Sequence, residues 1–85
     1  MMKGDDKMAS NEELREKIRK KLIECRNEKN VTQTEVGKHV GKSKTAVASW
    51  EQGKSLPDAA TLYKLALYYG KSIEYMYDRV EEKED

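Results

Sequence analysis

Eighty-five residues, 36% of them hydrophobic and 7% aromatic, supply material for one modest core and exclude a two-domain enzyme. A charged fraction of 39% approaches that of a disordered chain, yet Val, Ile, Leu and Met recur through the middle, which predicts a folded centre between solvated ends. The formal charge of +1 conceals an asymmetry: residues 18–56 hold nine Lys or Arg against four acids, a local +5, while residues 1–17 (four against five) stand at −1 and residues 57–85 (four against seven) at −3.

Residues 1–9 carry Gly4, the pair Asp5 and Asp6 and no periodicity, so a flexible tail is expected there. They lack the apolar run of a signal peptide, and no stretch nears the ~18 apolar residues that cross a bilayer. A cytoplasmic chain with no membrane partner is expected. Order begins at Ser10, which forms a capping-box pattern with Glu13; Leu14, Ile18, Leu22 and Cys25 then share one face of a first helix ending near Lys29. Asn30 suits the left-handed residue that closes it. A second box, Thr32 with Glu35, opens a short helix through Val40 with Val36 and Val40 inward, and Gly41 ends it. Ser43 caps a third helix over residues 44–52, with Ala46, Val47 and Trp50 as its buried stripe. Gly53 stops that helix and residues 54–57 form a loop. Pro57 and Asp58 then start a fourth helix to about Tyr69, with Leu62, Leu65, Ala66 and Tyr69 inside. Gly70 terminates it, and Ser72 caps a last short helix with Ile73, Met76 and Tyr77 inward. The folded domain is therefore expected over residues 10–78, with an acidic tail over 79–85. The fold class is all-α, a compact five-helix domain.

The stretch from Gln33 to Gln52 carries most information. Two short helices joined through Gly41, Lys42 and Ser43 must bend by about 90–120°, and a residue without a Cβ is the cheapest way to reach positive φ in that turn. Gly37, one turn before Gly41, costs ~1 kcal/mol relative to Ala inside a helix. Its presence asks for a packing reason, taken here as close approach to the stripe containing Val47.

With these residues in register, the chain resembles the phage-repressor helix-turn-helix family, the Cro/CI or xenobiotic-response-element class. The matching text is residues 31–37, Val40-Gly41, residues 43–50, Glu51-Gln52-Gly53-Lys54, Leu56-Pro57-Asp58, and then Leu62, Leu65-Ala66, Gly70 and Ser72. It covers about residues 18–78 and implies a five-helix lambda-repressor-like fold whose third helix enters the DNA major groove. Carried over by position, the base readers are Lys44, Thr45, Ala48 and Ser49. Lys44 can donate to guanine, Thr45 and Ser49 can bond several bases, and the methyl of Thr45 or Ala48 can touch a thymine methyl. The resemblance places Thr32, Gln33, Lys42, Ser43, Gln52, Lys54 and Ser55 at phosphates, with Lys38 and Lys21 as weaker candidates. It also implies that Arg26 on the first helix pairs with Glu51. Lys71 and Asn30 depart from the pattern, standing where the family prefers an apolar residue and Gly.

Blander readings stand beside these. The third helix's outer residues can be a plain solvent face, the lysines solvated charges, and Thr32 and Ser43 only caps. Cys25 reads as a small buried hydrophobe, His39 as an exposed or partly buried helix residue, and Trp50 as core. One Cys and one His leave no catalytic set, no metal site and no cofactor in view. Tyr63, Tyr68, Tyr75 and Leu67 are more apolar surface than five small helices hide, which calls for a subunit contact.

The leading function is thus a sequence-specific double-stranded DNA-binding transcriptional regulator, a repressor, acting as a homodimer on a pseudo-palindromic operator. Any regulation would come from a partner protein, concentration or DNA. The alternative, of a different class, is a protein-interaction module such as an antitoxin-like or co-regulator partner.

Overall fold

The computed structural model describes residues 10–77, so the tails at 1–9 and 79–85, and Asp78, lie outside the described residues. α1 (Asn11–Lys29) starts where Ser10 Oγ accepts from the Glu13 N–H at 3.1 Å and Glu13 Oε1 accepts from the Ser10 N–H at 3.0 Å. The same reciprocal box at Thr32 and Glu35, 3.1 and 2.7 Å, opens α2 (Gln33–Val40). Single side-chain caps open the others: Ser43 for α3 (Lys44–Glu51), Asp58 for α4 (Ala59–Tyr69) and Ser72 for α5 (Ile73–Met76). Each cap satisfies an otherwise orphaned N–H and contributes ~1 kcal/mol. There is no strand among the described residues.

The helix ends follow from which residues reach positive φ. Asn30 (61°), Gly41 (75°) and Gly70 (70°) close α1, α2 and α4 in the left-handed region. α3 ends differently: Gln52 is its right-handed C-cap, one residue short of the expected helix, and Gly53 takes the positive φ of 77°.

All five helices contribute to one core: Ile18, Leu22 and Cys25 from α1, Val36 and Val40 from α2, Val47 and Trp50 from α3, Leu62, Leu65 and Ala66 from α4, and Met76 from α5. Leu14, expected on the same face, is only half-buried, so the α1 contribution begins at Ile18. Tyr69, Ile73 and Tyr77 pack on the edge of the cluster. Two of the four groups expected to lie bare are covered by charged stems. Tyr75 lies beneath the ammonium groups of Lys21 and Lys71, at 4.3 and 4.7 Å. Tyr68 stacks on the His39 ring at 4.0 Å with Lys29 at 4.8 Å. Long lysine stems can blanket an aromatic face and still keep their charge in water, which periodicity does not reveal. Among the described residues only Tyr63 and Leu67, 57% and 62% exposed, remain as bare large hydrophobics. Among the described residues no helix is long and apolar enough to cross a membrane.

Candidate nucleic-acid interface

The turn between α2 and α3 is closed by backbone. The N–H groups of Gly41 and Lys42 both point to the Gly37 carbonyl, the second at 2.8 Å. A Cβ on Gly37 would stand 2.5 Å from the Lys42 carbonyl oxygen, which corrects the sequence expectation. What demands a small residue at 37 is the turn's own backbone folding back, rather than the side-chain stripe of α3.

A buried carboxylate fixes α3 to the body. Arg26 Nε donates to Glu51 Oε2 at 2.7 Å and Arg26 Nη2 to Oε1 at 3.0 Å, while Nη1 donates to the Val31 carbonyl at 3.0 Å. Gln33 Nε2 donates to the same Oε1 at 3.0 Å. The bond to Glu51 raises the Arg26 guanidinium above its ordinary range, against a smaller opposing effect of burial. Glu51 is the one acid in α3, and its side chain is 5% exposed. The electrostatic consequence is an outer face on α3 free of negative charge, which is the condition for approaching a polyanion.

That outer face carries Lys44 and Thr45, both exposed, and Ala48 and Ser49, both half-buried. Around it stand the exposed Thr32, Lys42, Ser43, Gln52, Lys54 and Ser55. The loop after α3 folds back on the helix, since the Lys54 N–H donates to the Ser49 carbonyl at 3.0 Å and the Ser49 and Ser55 hydroxyls meet at 2.8 Å. Among the residues expected at phosphates, Gln33 stands apart. It is half-buried and directs its amide nitrogen inward to Glu51, leaving at most one further N–H for a ligand. Lys21 lies over Tyr75, against α5, with Glu24 at 3.6 Å. Lys38 is exposed on α2.

The approach of Asp58 to Lys42 is a contact the sequence did not announce. Asp58 caps α4 through the Thr61 N–H at 2.8 Å and places Oδ2 3.9 Å from the Lys42 ammonium. Hydrogen bonds from Thr61, with Lys42 and Lys64 nearby, hold its carboxyl below the usual range. Its position before a helix signals the cap; the approach to Lys42 depends on the path of the loop. Gly53 likewise lies against the Arg19 stem, to which a Cβ would come within 3.2 Å, so α1 also borders this surface. Among the described residues no group of three His, Cys, Asp or Glu could hold a metal ion.

The arrangement offers a basic and hydroxyl-bearing surface with a rigid helix at its centre. It matches in order what the comparisons find: a family model described as helix-turn-helix matches residues 22–76, from the middle of α1 to the last residue of α5. No curated protein and no solved structure matches the chain.

Proposed function

The chain belongs to the Cro/C1-type helix-turn-helix family of DNA-binding domains, a family typically without catalytic activity, and from that premise we propose that it represses transcription as a sequence-specific homodimer. α3 enters the major groove and reads bases with Lys44, Thr45, Ala48 and Ser49. Thr32, Ser43, Gln52, Ser55 and the ammonium groups of Lys42 and Lys54 hold the backbone on either side, with Gln33 contributing its remaining N–H. The observation that carries this reading is the sequestration of Glu51: the only carboxylate of α3 is turned inward onto Arg26 and Gln33, so the face left outside is cationic and hydroxylic. By occupying an operator the protein excludes polymerase or changes its contacts, and repression is the outcome proposed here.

The homodimer reading is supported by Tyr63 and Leu67, spaced one helical turn apart on α4 and both largely bare. Two copies joined there would address two half-sites about 34 Å apart. The same two side chains also suit the alternative, a module that binds another protein. Binding to a random pool of duplexes, repeated over a range of salt, separates the two. A two-fold symmetric consensus with affinity falling steeply in salt supports the repressor; no enrichment at any salt leaves the protein-interaction module.

A further inference from the structure

Ser49 and Ser55 sit six residues apart and share a contact of 2.8 Å between their hydroxyl oxygens, in which either atom can be the donor. The Lys54 N–H on the Ser49 carbonyl, at 3.0 Å, holds the loop over the last turn of α3 so that the two hydroxyls meet. Each serine hydroxyl owns one proton and two acceptor lone pairs. Phosphodiester oxygens can only accept. A Ser55 hydroxyl engaged with the DNA backbone therefore gives its one proton to phosphate and has none for Ser49. The bond between the serines is then left with one polarity, Ser49 donating and Ser55 accepting. What Ser49 presents to the groove is lone pairs alone.

We propose that Ser55 turns Ser49 into an acceptor-only reader, which selects a base bearing an amino group, adenine or cytosine, at the position it faces. The inference rests on the DNA-binding reading above and adds to it the chemical class of one base. In the major groove, adenine N6 and cytosine N4 are donors, whereas guanine O6 and N7 and thymine O4 are acceptors. An isolated serine suits either class, because its hydroxyl rotates to match. With its proton committed to Ser55, Ser49 meets guanine or thymine lone pair to lone pair. A phosphate contact, ordinarily mute about sequence, thereby sets the polarity of a base contact. Ser55 is a positioning residue for readout, and Ser49 the residue that touches the base.

Selection from a random duplex pool tests this with the wild-type chain, Ser49→Ala, Ser55→Ala and Ser55→Thr. The wild type should show one position in each half-site restricted to adenine or cytosine, by about tenfold. Ser49→Ala and Ser55→Ala should relax that position and leave the others as they were, and Ser55→Thr, which keeps a hydroxyl, should restore it. A second measurement needs no folded Ser55 variant: replacing the adenine at that position by purine, which lacks the amino group, should weaken the wild type about tenfold and leave Ser49→Ala unaffected. A Ser49-dependent base pair that tolerates loss of its amino group, no position that responds to Ser49→Ala, or an unchanged preference in Ser55→Ala would each overturn the inference while leaving DNA binding intact. A wild type that enriches no sequence at all would remove the DNA-binding reading and this inference with it.

Discussion

The Arg26 guanidinium grips the Glu51 carboxylate at two points, 2.7 and 3.0 Å, across 25 residues of chain. Val31 and Gln33 join the same cluster, so one acid ties α1, the entrance to α2 and the end of α3 together. The cluster fixes the angle of α3 and removes a negative charge from its outer face. Stability and binding are thus linked through a single side chain.

Removing the guanidinium leaves a nearly inaccessible carboxylate with only Gln33 of its described partners, and Arg26→Ala is expected to cost ~3–5 kcal/mol. Lys29→Ala gives up a contact with the Tyr68 ring at 4.8 Å. That change should cost ~0.5–1 kcal/mol. Urea denaturation of both variants checks the ordering, and equal losses would show that the pair does not fix the fold. Exchanging both Arg26 and Glu51 for apolar residues should cost much less than Arg26→Ala alone, because no unpaired charge remains buried.

Gly37→Ala sets helix propensity against geometry. Ala is favoured by ~1 kcal/mol inside a helix. Its Cβ, however, would lie 2.5 Å from the Lys42 carbonyl oxygen, a backbone atom that cannot swing aside. Overpacking of this kind costs ~1–3 kcal/mol, so a net loss of stability is expected. Opening the turn also moves α3 relative to α2 and should weaken DNA binding. Gly70→Ala, at a φ of 70° with no atom within 4 Å of the added Cβ, serves as the contrast. It should lower stability by ~1 kcal/mol through backbone strain and leave DNA affinity alone. A Gly37→Ala variant that melts higher and binds normally would refute this account of the turn.

The chain should also lose stability in alkali. Burial, and then the nearby Glu51 carboxylate, push the Tyr69 phenol far above its ordinary value. Unfolded tyrosine releases its proton near pH ~10 whereas folded Tyr69 keeps it, so the native state binds more protons there. The stabilisation is complete below pH ~10 and is lost progressively above it. Burial raises the Cys25 thiol as well, which should start a shallower decline near pH ~8.5. Urea midpoints between pH 7 and 11 should fall at the alkaline end, and Tyr69→Phe should flatten the steeper part of that fall. An identical profile for the variant would place its cause elsewhere.

What could be read from the sequence is what short stretches of chain decide. Ser10 with Glu13, Thr32 with Glu35, and the caps at Ser43, Asp58 and Ser72 act over three residues, so their spacing alone locates the helix starts. The Val47 and Trp50 stripe follows from the helical period in the same way. Of the contacts made across the fold, the Arg26–Glu51 pair follows from the family resemblance alone, and others were hidden. Nothing in the neighbourhood of Gln33 announces Glu51, 18 residues on, and nothing near Lys21 or Lys71 announces the Tyr75 ring they cover. Gly37 was recognised as a position needing a small residue, but the atom it must avoid belongs to a turn whose path only the coordinates give. For the same reason the loop that brings Ser55 to Ser49 could not be anticipated, although the two lie close in sequence.

Lys44 and Lys54 should separate base reading from backbone binding. Lys54→Ala is expected to weaken every duplex alike and to reduce the slope of log K against log salt by about 1, since one phosphate contact is lost. Lys44→Ala should lower affinity for the preferred site by ~1–3 kcal/mol and leave non-specific binding nearly constant. Titrating both variants against the preferred and a scrambled duplex at several salt concentrations gives the answer. The reverse pattern would exchange their roles.

Tyr63 and Leu67, exposed by 57% and 62%, leave an apolar strip on α4 beside a shallow groove formed by His39, Lys64 and Tyr68. If two copies meet on that strip, Leu67→Glu places like charges opposite each other across the two-fold axis and should abolish the dimer. Neither side chain is buried in the monomer, so stability should change little. Linked modules gain about 10²–10⁴ in affinity by engaging two half-sites at once, and the variant should lose that factor on a palindromic duplex. On a duplex with one half-site it should bind as the wild type does. Sedimentation equilibrium beside the two titrations tests both parts. A wild-type chain that stays monomeric at micromolar concentration, or a Leu67→Glu chain that keeps its preference for the palindrome, would show that the strip does not join two copies.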